Sequence, residues 1–508
     1  MKRSITSIKS HHKRVTRNNL AHNANGFLNS VITTTSQIRS LLLSSQNTTK
    51  ETNIPFQQKL LSVEEALHRN IHEGDRVFLQ TGCGVPKYLV KHLKCLITPS
   101  KPFQKKIEIV GLHLNYYPND QPPHLQFEYL PYFHTSSIFM GPHERRALQE
   151  CHLHASEENA PVDYIPIFLS EAPMLFKSSK YPIDVALIQV SPPDSHGYCS
   201  LGPSVDVSVA AVQSARRVVA QINPQCPRTH GDGFVHVNHI DAFVEHSEEI
   251  SELLLPEEAS LSKEEQEANK NIGEFVAKLT PNRACLQLGI GALPNAICSS
   301  LIHHQDLGIH SETFSDGILQ IIESGAVTNK YKTIHPGHSV CSFVMGSRKL
   351  YDFIDDNPEV IFRTADYVND GTHIRMNSNV VAINSAIEID ITGQVCADSI
   401  GTHMYSGVGG QLDFMSSSAK SEGGKPIIAI HSCTKKGDSK IVSTLKQGSG
   451  VVTTRAHVHY VCTEYGIAEL YGKSMKDRAQ ELIRVAHPKH RERLVREARE
   501  FYGFNLKD

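Results

Sequence analysis

The sequence predicts an α/β fold made of two related open domains with mainly parallel sheets. At 508 residues the chain is longer than one hydrophobic core usually organises, so two large domains are expected. Short apolar runs rich in β-branched residues, each ended by Gly, Pro or Asp, are typical of buried parallel strands. Helical stretches between some of these runs and a weak internal repeat favour the same arrangement.

The first 50 residues differ from the rest of the chain in charge. They hold eight Lys or Arg and no Asp or Glu, and they are rich in Ser, Thr and Asn. This composition is typical of a mitochondrial transit peptide, whereas a secretory signal would need a continuous apolar region that is missing here. A disordered basic arm is the alternative. We therefore assign residues 1–50 to one of these two and expect a protein of the mitochondrial matrix.

The first α/β domain is expected over residues 51–260. Ser62 predicts a helix start, because apolar residues follow this N-cap residue type at helical spacing. Strands are predicted in four apolar runs, at residues 77–79, 107–110, 185–190 and 218–222. Nine glutamates between residues 245 and 267 indicate a solvated linker that leads into a helix. The domain boundary is therefore placed near residue 260.

The second α/β domain is expected over residues 261–508. Its strands are predicted at residues 284–288, 380–383, 427–430 and 450–453. The final helical region, residues 476–501, is expected to break at Pro488, because proline removes a helical hydrogen bond and clashes with the preceding turn.

A faint repeat crosses the expected boundary. Residues 78–84 (FLQTGCG) share four identical positions with residues 285–291 (CLQLGIG), and a proline follows each, as Pro86 and Pro294. Both segments predict a strand, a glycine turn and then a helix. The repeat supports two related domains facing each other.

Composition argues against several classes of function. No apolar run approaches the roughly 20 residues that a membrane-spanning helix needs, so no membrane partner is expected. The chain after residue 50 is net acidic and has no run of basic residues that would bind nucleic acid together with residues 1–50. No nucleic-acid partner is expected. None of the eleven cysteines forms a C-x-x-C pair, and pairs such as His303 and His304 lack the spacing of a zinc protease motif. No metal site is expected.

Three loops carry the residues that could do chemistry. Residues 289–295 (GIGALPN) end a predicted strand and begin a helix, where glycines allow close approach of a ligand and free N–H groups face an anion. A structural turn is the alternative, and Pro294 stands where the dinucleotide fingerprint needs its third glycine. Glu312 lies in a loop at the carboxyl end of a predicted strand, where ligands bind in open α/β sheets. A solvated surface carboxylate is the other interpretation of Glu312.

The third loop, residues 407–414 (GVGGQLDF), has three glycines within four residues, so its amides could donate to a developing oxyanion. A flexible turn explains the same pattern. A Ser/His/Asp triad from residues 191–197 is not expected, because the three residues are too close in sequence and no G-x-S-x-G elbow accompanies them.

These segments together resemble the acetyl-CoA hydrolase/transferase family of class I CoA-transferases, which includes 4-hydroxybutyrate and acetate:succinate CoA-transferases. The resemblance lies in residues 289–295, in the His310-Ser311-Glu312 segment that continues to residue 317, and in residues 407–414. Residues 191–202 and 453–468 match as well. The order and spacing of five motifs, spread over most of residues 60–490, carry the likeness.

The resemblance implies a mechanism and a set of site residues. Glu312 would attack an acyl-CoA to give a mixed anhydride, and the released CoA would return to form a glutamyl-CoA thioester. CoA thioesters would be substrates, with no separate cofactor or metal. The active site would lie between the two domains of one subunit. The protein would form a homodimer. The residues implied to contact CoA are Gly289, Ile290, Gly291, Ala292, Leu293, Ile387, Gly409, Gly410 and Lys435.

Three functions remain open on the sequence. The first is transfer of CoA from a short acyl-CoA such as acetyl-CoA to a small carboxylic acid such as succinate. The second is hydrolysis of the acyl-CoA, which differs only in how well the site excludes water. The third is a non-catalytic nucleotide-binding module, which would not need a carboxylate at position 312. We expect transfer, because a transferase makes fuller use of an acyl-carrying glutamate.

Overall fold

The computed structural model describes residues 55–97, 103–116, 121–153, 161–253 and 260–506. The basic segment at residues 1–50, predicted to be a transit peptide or arm, lies outside these ranges. In the described ranges no helix has the length and apolarity needed to span a bilayer.

Seven parallel strands form the first sheet, in the order β7-β6-β5-β1-β2-β3-β4. All four strands predicted in this half are confirmed, each extended by one or two residues or unchanged. The strands are β1 (Arg76–Leu79), β2 (Ile107–Leu112), β3 (Phe133–Phe139), β4 (Val162–Tyr164), β5 (Val185–Val190), β6 (Arg217–Ile222) and β7 (Ala242–Glu245).

Helices cover both faces of this sheet, which is why its strands are apolar throughout. Phe78 of β1 packs against Phe176 on one face, while its neighbours Val77 and Leu79 pack with Leu67 on the other. Each of these side chains contributes about 1.5–3 kcal/mol by its burial. The helices of this half are Phe56–Lys59, Val63–Asn70, Lys87–Lys91, Pro142–Leu153, Ala172–Lys177 and Ser208–Ser214.

The helix cap predicted at Ser62 is confirmed. Its side chain accepts a hydrogen bond from the backbone N–H of Glu65 at 3.2 Å, which satisfies one of the free donors at the helix start.

The second sheet has six strands in the order β9-β8-β10-β11-β12-β13. Its strands are parallel except for the final hairpin, β12 with β13. They are β8 (Cys285–Leu288), β9 (Gly308–Ile309), β10 (Val380–Asn384), β11 (Lys425–Ala429), β12 (Tyr460–Thr463) and β13 (Gly466–Glu469).

Three of the four strands predicted in this half are confirmed, and the strand predicted at residues 450–453 is wrong. Thr453 makes only an isolated antiparallel bridge to Val395. The other residues of this run lie in no strand or bridge, because strand propensity alone does not supply a strand to pair with.

The helices of the second half follow the expected pattern. Ser262 and Glu265 form a capping box at the first of them, and Pro488 starts the last one, so the predicted break is confirmed. They are Lys263–Leu279, Ala292–Leu301, Asp316–Glu323, Arg348–Ile354, Ala365–Val368, Gly371–Met376, Gln411–Ser418, Met475–Val485 and Pro488–Tyr502.

Short strands and a common core join the two halves. His230–Gly231 of the first half pairs with Val360–Phe362 of the second, and Ser204 bridges to Phe343. One apolar cluster contains both Phe78 and Leu286. Other short strands are Tyr198–Ser200, Phe234–His236, Thr313–Phe314, Ser339–Cys341, Phe343–Val344, Glu388–Asp390, Val395–Cys396, Ser399–Ile400, His403–Met404 and Ile441–Val442.

Both repeat segments form a strand that is followed by a turn and a helix. After β1 come a 3-10 turn at Gly82–Gly84 and the helix Lys87–Lys91, and after β8 comes the helix Ala292–Leu301. Both β1 and β8 are interior strands of their sheets, so both glycine turns lie at carboxyl edges of parallel strands. The domain limits near residue 260 stay a prediction.

Candidate active site

Glu312 is held by a rigid backbone at the carboxyl end of β9. Its carbonyl oxygen accepts hydrogen bonds from the backbone N–H groups of Ser342 at 3.0 Å and Phe343 at 3.2 Å. The preceding residue, Ser311, donates its hydroxyl to the carbonyl of Leu288 at 3.0 Å and accepts the N–H of that residue at 3.2 Å. The loop is thus tied to β8 and to the strand Phe343–Val344, and the side chain of Glu312 projects into a cavity.

Asn369 orients the Glu312 carboxylate. This buried residue follows the helix Ala365–Val368, and its Nδ2 donates a hydrogen bond to Oε2 of Glu312 at 2.7 Å. The same Nδ2 lies 3.3 Å from Oδ2 of Asp413. One amide therefore contacts two carboxylates, and a hydrogen bond to a charged group is stronger than a neutral one.

Two further carboxylates surround the site. Asp413, in the first turn of the helix Gln411–Ser418, accepts the hydroxyl of Ser170 at 2.9 Å and its backbone N–H at 3.2 Å. Asp206 is fully buried and accepts hydrogen bonds from the hydroxyl of Thr81 and the N–H of Ser208. Ser170, Asp206 and Thr81 belong to the first half of the molecule, whereas Asp413 belongs to the second.

The electrostatics of the site favour a neutral Glu312. Burial raises the pKa of Glu312, the Asn369 hydrogen bond opposes this effect, and the negative charges of Asp413 and Asp206 add to it, so that together they bring the pKa to about 7. Burial likewise raises the pKa of Asp206 and of Asp413 to about 6 each. Glu312 is therefore only partly ionised at neutral pH, and its ionised form is poorly hydrated. A poorly hydrated carboxylate is a better nucleophile than one in water.

Gly410 lies directly against this carboxylate. A Cβ atom at position 410 would overlap with Oε2 of Glu312 and with Nδ2 of Asn369. The backbone of Gly410, with φ −100° and ψ 10°, is open to any residue type. The requirement for glycine at this position therefore comes from the close approach to the two side chains and not from the backbone conformation.

The cavity has a volume of about 220 Å³ and takes its wall from both halves of the molecule. Both halves supply apolar side chains, and the second half also supplies the glycine loop and Glu312. The lining residues are Thr81, Gly82, Leu112, His113, Phe139, Leu169, Asp206, Gly289, Ile290, Glu312, Thr313, Phe343, Met345, Asn384, Ser385, Ala397, Ser406, Gly407, Val408, Gly409, Gly410 and Gln411.

The glycine loop is anchored to the first half. The N–H of Leu169 donates to the carbonyl of Gly409 at 3.1 Å, and the N–H of Met140 donates to the carbonyl of Ser406 at 3.0 Å. A Cβ at Gly407 would lie 2.8 Å from the ring of Phe139. These contacts hold the loop across the cavity beside Glu312.

Five of the ten predicted site residues line this cavity, namely Glu312, Gly289, Ile290, Gly409 and Gly410. The other five, Gly291, Ala292, Leu293, Ile387 and Lys435, do not.

The residues outside the cavity have local roles in the structure. Gly291 has φ +125° and stands at the start of the helix Ala292–Leu301. Ile387 donates its N–H to Cys396, and exposed Lys435 pairs with Glu265 at 3.0 Å. Their contacts with CoA stay predictions.

The sequence analysis did not identify several side chains that contact Glu312 or shift its pKa. Asn369 and Asp206 lie far from residue 312 in the chain and carry no local motif. Asp413 stands inside the third glycine motif, so that motif offered a signal. Cysteine, histidine and carboxylate side chains in the described ranges form no group of three or more that could hold a metal ion.

The comparisons with known proteins agree over most of the chain. The family model described as acetyl-CoA hydrolase/transferase N-terminal domain matches residues 44–254, and the corresponding C-terminal domain matches residues 346–498. The chain is 47% identical to a succinyl-CoA:acetate/propanoyl-CoA:succinate CoA transferase of Fasciola hepatica, covering 84% of this chain and 85% of the relative. It is 41% identical to a 4-hydroxybutyrate coenzyme A transferase of Clostridium kluyveri, covering 87% and 97%. An acetyl-CoA hydrolase of Yarrowia lipolytica is 24% identical, covering 62% and 65%.

Solved structures show the same fold. RipA from Yersinia pestis superposes with a TM-score of 0.81 at 33% identity, covering 88% of this chain and 98% of that one. A 4-hydroxybutyrate CoA-transferase from Porphyromonas gingivalis superposes with a TM-score of 0.70 at 32% identity, covering 88% and 99%.

Proposed function

Since this chain belongs to the acetyl-CoA hydrolase/transferase family and is a CoA-transferase, we propose that it moves CoA through a covalent thioester on Glu312. The observation that carries the proposal is the Glu312 carboxylate, placed in a cavity and held by Asn369 against the backbone of Gly410. A carboxylate nucleophile suits this reaction, because its CoA thioester keeps the bond energy of the original acyl-CoA.

In the first half-reaction an oxygen of ionised Glu312 attacks the thioester carbonyl of the donor. The carbon–sulfur bond breaks, CoA leaves as a thiolate, and Glu312 carries a mixed anhydride. The thiolate then attacks the side-chain carbonyl of Glu312, and the donor acid leaves as a carboxylate. No net proton is taken up or released, so these steps need no separate general acid.

The second half-reaction is the reverse with a new acid. An acceptor carboxylate attacks the Glu312–CoA thioester, which releases CoA thiolate and forms a new anhydride. The thiolate attacks the acyl carbonyl of that anhydride, giving the product acyl-CoA and free Glu312. Asn369 and the Gly410 backbone keep the side chain in place while its carbonyl changes partners.

Transfer is the function that the relatives favour over hydrolysis, since named CoA-transferases are the more similar and acetyl-CoA hydrolases the more distant. The apolar wall at Leu112, Phe139 and Leu169 supports the same choice, because it limits the water available to the anhydride and thioester.

The substrates that we propose are a short acyl-CoA such as acetyl-CoA and a small acid such as succinate. The small cavity beside Glu312 supports short acyl groups, and the names of the relatives include acetate, propanoate and succinate. CoA thioesters act as substrates in this scheme, without a resident cofactor.

The decisive experiment incubates purified full-length protein with acetyl-CoA, with and without succinate, and follows free CoA and succinyl-CoA together. Succinyl-CoA formed with little free thiol supports transfer, whereas equal thiol release without succinate would contradict it. The intact mass after incubation with acetyl-CoA alone should show a CoA adduct that is absent in the Glu312→Gln variant. Glu323→Gln, at an exposed ion pair with Lys349, is the matched control and should keep both activity and adduct.

We also propose a location in the mitochondrial matrix, supported by the basic, acid-free composition of residues 1–50. Residues 1–50 fused to a fluorescent protein should direct it to mitochondria, and the remaining chain alone should stay in the cytosol. A fusion that stays in the cytosol would contradict the transit peptide.

Assembly as a homodimer is the remaining part of the proposal and rests on the family resemblance. Light scattering of the purified protein should give about twice the 56.4 kDa mass of one chain. A mass close to that of a single chain would contradict the dimer.

A further inference from the structure

One imidazole in the cavity wall has no part in the transfer steps. His113 follows β2, and its backbone N–H donates to the carbonyl of Phe139 at 3.0 Å. Its φ of +46° lies in the left-handed region, which is uncommon for residues other than glycine. Strained backbone of this kind persists when the surrounding structure enforces it, and it is enriched at functional sites.

The imidazole of His113 has a ring nitrogen without a hydrogen-bond partner among the described residues. Its ring packs edge-on against Phe139, with 5.2 Å between ring centroids, and its Nδ1 is buried with no hydrogen-bond partner among the described residues. A buried polar atom without a partner costs about 1–3 kcal/mol, so such an atom calls for an explanation. A polar ligand group in the cavity would supply a partner for the imidazole.

The charge around His113 favours an anion. Burial and the positive charge of Arg145 lower the pKa of His113 to about 4, so the ring is neutral and has one N–H to donate. The Arg145 guanidinium donates to the carbonyls of Met140 and Tyr405, at 3.1 Å and 2.6 Å. Within the described ranges Arg145 forms no salt bridge, and its positive charge also acts on the neighbouring buried carboxyl of Glu144.

His113 lies away from the reacting carboxylate. Gly410 touches Glu312, a Cβ at Gly409 would lie 3.3 Å from the Phe139 ring, and Phe139 in turn packs against His113. The glycine loop and the Phe139 ring thus connect Glu312 with His113 along the wall of one cavity. We place the carbonyl carbon of the acyl group at Glu312 and its far end toward His113.

We propose that His113 sets the acyl specificity by donating a hydrogen bond to a second carboxylate at the far end of a dicarboxylic substrate. The substrate class is then a four-carbon dicarboxylic acid in preference to a monocarboxylic acid of the same length. Arg145 adds a favourable charge without entering the cavity wall. The inference rests on the proposed function, because it assumes that the acyl carbonyl is placed at Glu312.

The test compares succinate with butyrate as acceptors from acetyl-CoA, using full-length protein and two substitutions at position 113. Both acids have four carbons and differ in the far group, so the ratio of their kcat/KM values isolates its recognition. His113→Gly tolerates the left-handed backbone and removes the donor, whereas His113→Asn tolerates it and keeps an N–H donor.

The wild-type enzyme should prefer succinate, and His113→Gly should lose about tenfold or more of kcat/KM for succinate, mainly through KM. Its kcat/KM for butyrate should fall less than that for succinate, because both acceptors lose the packing of the ring on Phe139 but only succinate loses a hydrogen bond. His113→Asn should recover part of the succinate preference. An unchanged ratio in His113→Gly, or equal losses for both acceptors, would overturn the inference while leaving CoA transfer intact.

Wild-type enzyme alone provides a second measurement that does not depend on the folding of any variant. Monomethyl succinate keeps the chain of succinate but replaces the far carboxylate by a neutral ester. Its kcat/KM should fall toward that of butyrate, and a value equal to that of succinate would contradict recognition of a second carboxylate. Transfer to none of the three acceptors, with loss of the CoA adduct on Glu312, would overturn the proposed function and this inference with it.

Discussion

The side-chain amide of Asn369 donates a 2.7 Å hydrogen bond to the Glu312 carboxylate and lies 3.3 Å from the carboxylate of Asp413. Asn369 and Asp413 shift the pKa of Glu312 in opposite directions. The hydrogen bond from Asn369 lowers this pKa, whereas the negative charge of Asp413 raises it. The balance of the two effects sets the fraction of Glu312 that is ionised near neutral pH. A substitution of either Asn369 or Asp413 should change this fraction.

Asn369→Ala should move the acidic limb of the pH–rate profile upward. The limb should lie near pH 7 in the wild type, because burial raises the pKa of Glu312 to about 7 and only the ionised form attacks. Removing a hydrogen bond to a charged group costs about 1.5–3 kcal/mol, so the shift should be about one to two pH units. The profile of kcat/KM for acetyl-CoA between pH 5.5 and about pH 9 would reveal it. An unshifted limb would mean that Asn369 does not stabilise the ionised carboxylate.

Asp413→Asn should move the same limb downward. The substitution removes a negative charge that raises the pKa of Glu312 and keeps an oxygen that can accept a hydrogen bond from Ser170. The control is Asp352→Asn, which alters an exposed ion pair with Arg348 and should leave the limb in place. If the acidic limb of Asp413→Asn moved to higher pH, Asp413 would act on Glu312 by holding the structure and not by its negative charge.

Glu312→Gln should stabilise the folded protein, and more at pH 8 than at pH 4.5. The folded-state pKa of Glu312 is raised above its ordinary value of 4.5, so ionisation opposes folding. That cost is absent below pH 4.5, grows as the pH rises, and is complete above about pH 7. The difference in Tm between variant and wild type, measured at both pH values, should therefore widen with pH. Equal differences would show that Glu312 ionises in the folded protein as it does in water.

Gly410→Ala should remove activity while leaving the fold. The added methyl group overlaps with the Glu312 carboxylate and the Asn369 amide, although the backbone of Gly410 accepts alanine. A displacement of about 1 Å at the nucleophile is expected to cost on the order of 100-fold in rate. Kinetics with acetyl-CoA and succinate, together with circular dichroism, would separate a local effect from misfolding.

Gly289→Ala is the matched comparison for stability. A Cβ at position 289 has no atom within 4 Å, so this substitution should change Tm little even though the residue lines the cavity. If Gly289→Ala unfolded the protein while Gly410→Ala did not, the packing described for these two glycines would be wrong.

Much of the fold followed from local patterns. Seven of eight predicted strands formed, since each apolar run is long enough for one strand and is ended by a residue that stops it. The predicted cap at Ser62 formed because its hydroxyl can satisfy an N–H group only three residues away. Residues 450–453 formed no strand, since strand propensity does not identify a pairing partner and only Thr453 makes a bridge, to Val395.

The candidate site likewise has a part that local sequence patterns predict and a part that they do not. Local strand, turn and helix signals are enough to place the carboxylate of residue 312 in a loop at a strand's carboxyl end. The folded arrangement is needed to bring Asn369, Asp413 and Asp206 close enough to influence that carboxylate and to place His113 in the same cavity. These side chains come from elements far apart in the chain. Their meeting depends on how two sheets pack through a common core, which no short segment encodes.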